Sequence, residues 1–173
     1  HSIEVTTRDL EGLPDARGDS VRSMLATDHN LEVGEVRVSL GYLVKAKMSQ
    51  DEAARSVYDL FADPVIEHGS SSAALLDSSE IFPRPPEATI QVGFKPGVTD
   101  NAGQAGLDGL TTLFPHLAGQ AQVATTRTFM FWGLPHGTDP SELASALHYP
   151  MIGRCAIAGA NDFAAARRPP LDF

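Results

Sequence analysis

From Val36 onward every second residue is apolar or aromatic: Val36, Val38, Leu40, Tyr42, Val44, Ala46 and Met48. The intervening positions include Glu35, Arg37, Ser39, Lys45 and Lys47. This is the pattern of an antiparallel strand with one face on a core and the other in water. Gly41, inside it, reads as a bend or bulge. A second long strand is predicted from Gln122 to Trp132, with Val123, Phe129 and Phe131 on one face and Arg127 interrupting them. Met130 and Trp132 make its other face apolar as well, so that face is expected to pack against something. Shorter alternating runs precede each long strand: Ile3 and Val5, then Ile90, Val92 and Phe94. Spacings of three and four predict helices through Val21, Met24 and Leu25, and through Leu107, Leu110, Leu113 and Phe114.

A second helix follows in each half of the chain. Ser49 with Glu52 fits a capping box, in which hydroxyl and carboxylate satisfy free backbone N–H groups reciprocally. Asp139-Pro140-Ser141-Glu142 reads as the same device, with proline at the first helical position. Both helices stop at a proline, in Asp63-Pro64-Val65-Ile66 and Tyr149-Pro150-Met151-Ile152, and a short strand is expected after each. The first is the longer, by about one turn.

The halves also share a motif. Gly12-Leu13-Pro14-Asp15-Ala16-Arg17-Gly18 and Gly97-Val98-Thr99-Asp100-Asn101-Ala102-Gly103 both read G-[LV]-x-D-x-x-G, at an offset of 97 − 12 = 85 residues. The organisation expected is therefore a first unit over residues 1–68, a connector over 69–87, a second unit over 88–160 and a tail or linker over 161–173. Each unit reads β-α-β-α-β. The fold class is α+β: two tandem ferredoxin-like units, with antiparallel sheets, helices on one face and an internal pseudo-twofold axis.

Composition narrows the function. The net charge is −9 and the isoelectric point about 5.0, which argues against nucleic acid and anionic membrane surfaces as partners. No apolar run approaches bilayer-spanning length. The single cysteine, Cys155, excludes an internal disulfide framework. Its apolar neighbours predict a buried structural thiol. A soluble, cytoplasmic protein is expected, and the start at His1 reads as a tag remnant or trimmed terminus, without a signal-peptide pattern.

The stretch GFKPGVTDNAGQAGLDGL, residues 93–110, invites a phosphate-site reading, since a strand, a glycine turn and a helix follow one another. It fails the pattern G-x-x-x-x-G-K-[ST], because Lys95 precedes Gly97. Asp15 and Asp100 stand where they would cap the helices and add negative charge. The turn therefore reads as architecture, or as a contact for a partner. Gly103, Gly106 and Gly109 fall every third residue along the helix, and the cost of about 1 kcal/mol each implies close backbone approach to the sheet or to a partner. The six histidines form no metal-binding pair in sequence, and Phe129-Met130-Phe131-Trp132 reads as strand core or interface patch. No constellation reads as catalytic.

Residues 90–103, Ile90-Gln91-Val92-Gly93-Phe94-Lys95-Pro96-Gly97-Val98-Thr99-Asp100-Asn101-Ala102-Gly103, resemble the signature of the small PurS subunit of phosphoribosylformylglycinamidine synthase. The strand Val123-Ala124-Thr125-Thr126-Arg127 and the endings Pro150-Met151-Ile152 and Phe61-Ala62-Asp63-Pro64-Val65-Ile66 fit as well. The lysine–proline pair is missing from the first half. The resemblance implies the N-terminal region of a fused synthase, in which two PurS-like units precede the synthetase domains. The family enzyme converts ATP, glutamine and formylglycinamide ribonucleotide to the formylglycinamidine in purine biosynthesis. Its small subunit is a non-catalytic bridge between synthetase and glutaminase that helps ammonia pass, and free subunits pair by intertwining strands. The resemblance thus implies synthetase and glutaminase parts as partners and self-association as an option. It implies no cofactor in this chain, ATP and magnesium belonging to the synthetase part. The residues expected at a partner contact are Lys95, Pro96, Gly97, Val98, Asp100 and Gly103, with Gly12, Asp15 and Gly18 in the other copy. Exposed sheet edges and aromatic patches would complete the surface. A different reading is a duplicated ferredoxin-like regulatory domain binding a small metabolite between its repeats.

Overall fold

The structure is a computed structural model and describes residues 2–7, 15–71 and 84–159. Gly12, most of the 69–87 connector and the 161–173 tail lie outside the described residues. The elements follow in the order β1 (Ser2–Thr7), α1 (Ala16–His29), β2 (Glu35–Lys45), α2 (Gln50–Ser56) and β3 (Glu67–Ser70), then β4 (Ala88–Phe94), α3 (Asn101–Leu113), β5 (Gln122–Trp132), α4 (Pro140–Leu147) and β6 (Gly153–Gly159). Helix α2 runs on as a π-helical segment, Val57–Phe61. With that extension it exceeds α4 by about one turn, as the two proline stops predicted.

All six strands join one antiparallel sheet, in the order β3-β1-β2-β5-β4-β6. This corrects the expectation of separate sheets. The long strands β2 and β5 pair along their whole lengths, from Glu35↔Trp132 to Lys45↔Gln122, and so merge the two edges that separate sheets would have exposed. Gly41 forms no bulge, because pairing continues through it on both sides. Glycine is needed there for a different reason: a Cβ would fall on the Thr126 hydroxyl of the neighbouring strand.

The face carrying Val36, Val38 and Val44 bears the helices and two clusters of buried side chains. One cluster joins Ile3 and Val5 of β1 and Val44 of β2 to Val57, Phe61, Leu110 and Phe114. The other joins Val36 and Val38 of β2 to Leu25 of α1, Ala88 and Ile90 of β4, Phe129 and Phe131 of β5 and Leu143 of α4. Each core therefore takes a helix from the other half of the chain: α3 closes the first and α1 the second. Neither stretch, 2–71 or 84–159, holds a complete core of its own.

The opposite face departs from the half-solvated expectation. Ser39, Thr6, Thr126 and Thr128 are each under 5% exposed, being short side chains set between neighbours on adjoining strands. The Ser39 hydroxyl donates to the Val5 carbonyl at 2.8 Å. Met130 and Trp132 are buried on this face as anticipated, and the Trp132 indole N–H donates to the carbonyls of Arg84 and Pro85 at 3.1 and 3.0 Å. The run Phe129–Trp132 is thus strand core and supplies no aromatic surface patch. Cys155 is half-buried rather than buried, since it sits on the edge strand β6 opposite Val92. No helix among the described residues is long and apolar enough to cross a membrane.

Candidate functional site

The lysine–proline–glycine loop is a tight turn at the end of β4. Val98 N–H donates to the Lys95 carbonyl at 3.1 Å, and Gly97 has φ +86°. Proline before a left-handed glycine is the residue order of a type II turn, and Gly97 is there because a side chain would strain that conformation. The Lys95 amide donates to the Ile152 carbonyl at 2.9 Å, and its ammonium donates to the Pro150 carbonyl. Lys95 therefore ties this loop to the turn that launches β6. A cation engaged in that way favours the architectural reading of the loop over the phosphate reading.

The aspartates perform two tasks at once. Asp100 caps α3 by accepting from Gly103 N–H at 2.7 Å, and it reaches β5 by accepting from the Thr125 amide at 2.6 Å and from the Thr125 hydroxyl. Asp15 caps α1 by accepting from Arg17 and Gly18 at 3.0 and 3.2 Å, and it reaches β2 through the Val38 amide at 3.3 Å. The glycine three residues later lets the helix start lie on that same strand. A Cβ on Gly103 would stand 2.8 Å from the Val123 carbonyl oxygen, and one on Gly18 would fall on the Val36 carbonyl oxygen. The D-x-x-G half of the motif is thus a clamp between helix and long strand. Asp139 caps α4 more simply, accepting from Ser141 at 2.9 Å, without the reciprocal glutamate bond that joins Ser49 and Glu52. The glycine stripe of α3 is also explained: Gly106 faces Phe61 and Val123, and Gly109 faces Leu60.

Lys95, Pro96, Gly97, Val98 and Asp100 line one shallow groove with Arg154. Asp15 lines a separate hollow with Asp19, Arg22 and Gly34, so the two copies of the motif do not form one site. Beside the Lys95 loop the chain exposes Tyr149, Met151 and Ile152, at 66%, 74% and 44%. At the matching proline stop of the first half, Val65 and Ile66 are exposed too. The sequence marked these residues as helix stops and as part of the family resemblance, not as an exposed surface; the apolar pair directly after each proline was the signal available.

A cleft of about 500 Å³ opens between the start of α3 and the end of α4, floored by Leu40, Tyr42, Val92 and Arg127. Burial pushes the Tyr42 phenol above its ordinary range, with the nearby Glu67 carboxylate adding to the effect. The His148 ring donates from Nδ1 to the Ala144 carbonyl at 2.6 Å. Among the described residues no group of three His, Cys, Asp or Glu side chains converges as metal ligands would. No known family model matches the sequence, and no curated protein matches it.

Proposed function

We propose that the chain is an assembly module built from two copies of one β-α-β-α-β unit, a single-chain version of a paired small subunit, and that it bridges the synthetase and glutaminase parts of a formylglycinamidine ribonucleotide synthase. The observation that supports this most is the agreement of strand registers between the halves. Ile3 pairs with Tyr42 and Ile90 with Phe129 (42 − 3 and 129 − 90, both 39). Val5 with Leu40 and Val92 with Arg127 repeat the agreement (40 − 5 and 127 − 92, both 35). Residues 87 apart therefore hold equivalent places, and the Leu40↔Arg127 pair of β2 and β5 sits at the centre of the relation. The Asp15 and Asp100 clamps agree too: they reach the Val38 and Thr125 amides, strand residues 125 − 38 = 87 apart. The exchange of α1 and α3 between cores is what a fused intertwined pair would display.

The docking surface in this reading is the Lys95–Val98 turn with Tyr149, Met151 and Ile152, a partly apolar patch of the kind interfaces bury. The test is reconstitution. Synthetase and glutaminase parts, assayed with and without the chain, should show glutamine-dependent turnover only in its presence and ammonia-dependent turnover in both cases. Equal glutamine-dependent rates without the chain, and no co-elution with either part, would remove the proposal.

A further inference from the structure

Strand β6 forms an outer edge of the sheet, and its pairing shows which backbone groups face outward. The Lys95 amide donates to the Ile152 carbonyl at 2.9 Å, one step beyond the Phe94↔Gly153 pair. Hydrogen-bonded pairs alternate along an antiparallel ladder, so Gly93↔Arg154, Gln91↔Ala156 and Thr89↔Ala158 are the bonded ones. Cys155 and Ile157 therefore turn their N–H and C=O groups away from β4. Among the described residues these four groups have no partner. The opposite edge is guarded: β3 has only four residues, Tyr58 donates its hydroxyl to the Gly69 carbonyl at 3.1 Å, and Arg17 holds Glu67. Strand β6 has none of the devices that protect an edge. Its register runs unbroken over seven residues, without lysine, proline or bulge. Its one charged side chain, Arg154, turns back to the Phe94 carbonyl at 3.0 Å, and Ile157 is 42% exposed.

The strand also fits itself. Laid antiparallel on a second copy about Ala156, Cys155 falls opposite the partner's Ile157, and Ile157 opposite the partner's Cys155. All the outward groups of both residues are then hydrogen-bonded. Sliding the pair toward Gly153 would face Ile157 with a residue whose N–H is already engaged by the Tyr149 carbonyl at 2.8 Å. In the register about Ala156, Ile157 and the partner's Cys155 make an apolar cross-strand pair, and Arg154 meets the partner's Ala158 rather than a like charge. Self-pairing of a chain with net charge −9 needs a region free of carboxylates, and the sequence has none between Glu142 and Asp162. We infer that β6 is the seam of a symmetric dimer, in which two six-stranded sheets join into one. The inference goes beyond the scaffold reading and stands without it.

The test is sedimentation equilibrium of the full chain from micromolar to near-millimolar concentration, which should show a reversible monomer–dimer equilibrium. Ile157→Lys places a charge from each copy at the seam and should raise the dissociation constant at least tenfold, while the melting temperature of the monomer stays unchanged. Ala156→Cys in a Cys155→Ser background sets two thiols directly opposite each other at the axis, so mild oxidation should give an intermolecular disulfide. That variant adds no charge to β6 and guards against a folding defect in the first. A chain that stays monomeric throughout leaves the edge to another protein's strand and overturns the inference. A dimer that Ile157→Lys leaves intact, or one that yields no disulfide with Ala156→Cys, overturns it as well.

Discussion

Replacing Gly18 by alanine tests the helix–strand clamp where it is tightest. The added Cβ would meet the Val36 carbonyl oxygen at a separation below the 3.0 Å that real Cβ atoms keep. That oxygen belongs to the backbone of a central strand, so it cannot rotate aside as a side chain could. Overpacking of this kind costs about 1–3 kcal/mol, and the rigid contact places the substitution at the upper end. Alanine's better helix propensity returns at most about 1 kcal/mol. Lifting the first turn of α1 also loosens the Asp15 bond to Val38, worth about 1 kcal/mol. The net loss is about 2–3 kcal/mol, or roughly 5–10 °C in melting temperature for a chain of this size. Gly106→Ala is the control, since its Cβ would stand 3.2 Å from the edge of the Phe61 ring, a side chain and not backbone; the propensity gain should hold it within about 1 kcal/mol of the parent. Thermal and urea unfolding followed by circular dichroism would measure both. A Gly18→Ala protein as stable as the parent would refute the clamp.

Asp100→Ala removes the α3 cap and leaves the Thr125 amide without its acceptor, so urea unfolding should show a loss of about 2–3 kcal/mol; a loss under 0.5 kcal/mol would contradict the double role. Stability should fall as the solution is acidified. Glu87 is held below the usual carboxylate range by the Gly133 and Leu134 amides, Glu52 by the Ser49 amide, and Asp139 by the Ser141 hydroxyl and amide. Each is depressed in the folded state, so its contribution is complete above the unfolded value near pH 4–4.5 and disappears as pH drops through the folded one. Melting temperatures from pH 7 to pH 3 should decline, and less steeply in Glu87→Gln; a flat profile would speak against these bonds. Met151→Asp, at an exposed position, should leave the melting temperature within about 1 °C, as surface substitutions do, yet weaken co-elution with synthase partners, as measured by gel filtration.

Much of the fold was legible because its signals are local. The alternation from Val36, the Ser49–Glu52 box and the proline stops after Ala62 and Tyr149 each place an element without knowledge of the rest. The G-x-x-D-x-x-G repeat located the clamps, and the glycine stripe of α3 announced close approach. What stayed hidden depends on contacts between distant segments. Nothing in β2 says that its partner is β5, so the merging into one sheet was invisible. The exchange of α1 and α3 between cores was equally out of reach, since an amphipathic stripe names no partner. Gly41 was misread because a bulge and a neighbour's overlying hydroxyl demand glycine equally. Arg127 registered only as an interruption in β5; the structure leaves it exposed, opposite Leu40 and Val92 on the neighbouring strands.

Native-state hydrogen exchange on the intact chain tests the central claim, that the two halves share their cores and stand as one unit. If each core is completed by the other half's helix, the Leu25 amide in α1 and the Leu110 amide in α3 should exchange only through global opening, at the same free energy and with the same denaturant dependence. Exchange of one helix through a lower-energy opening that leaves the other fully protected would mean that the halves are independent domains, and the single-chain pair would fall.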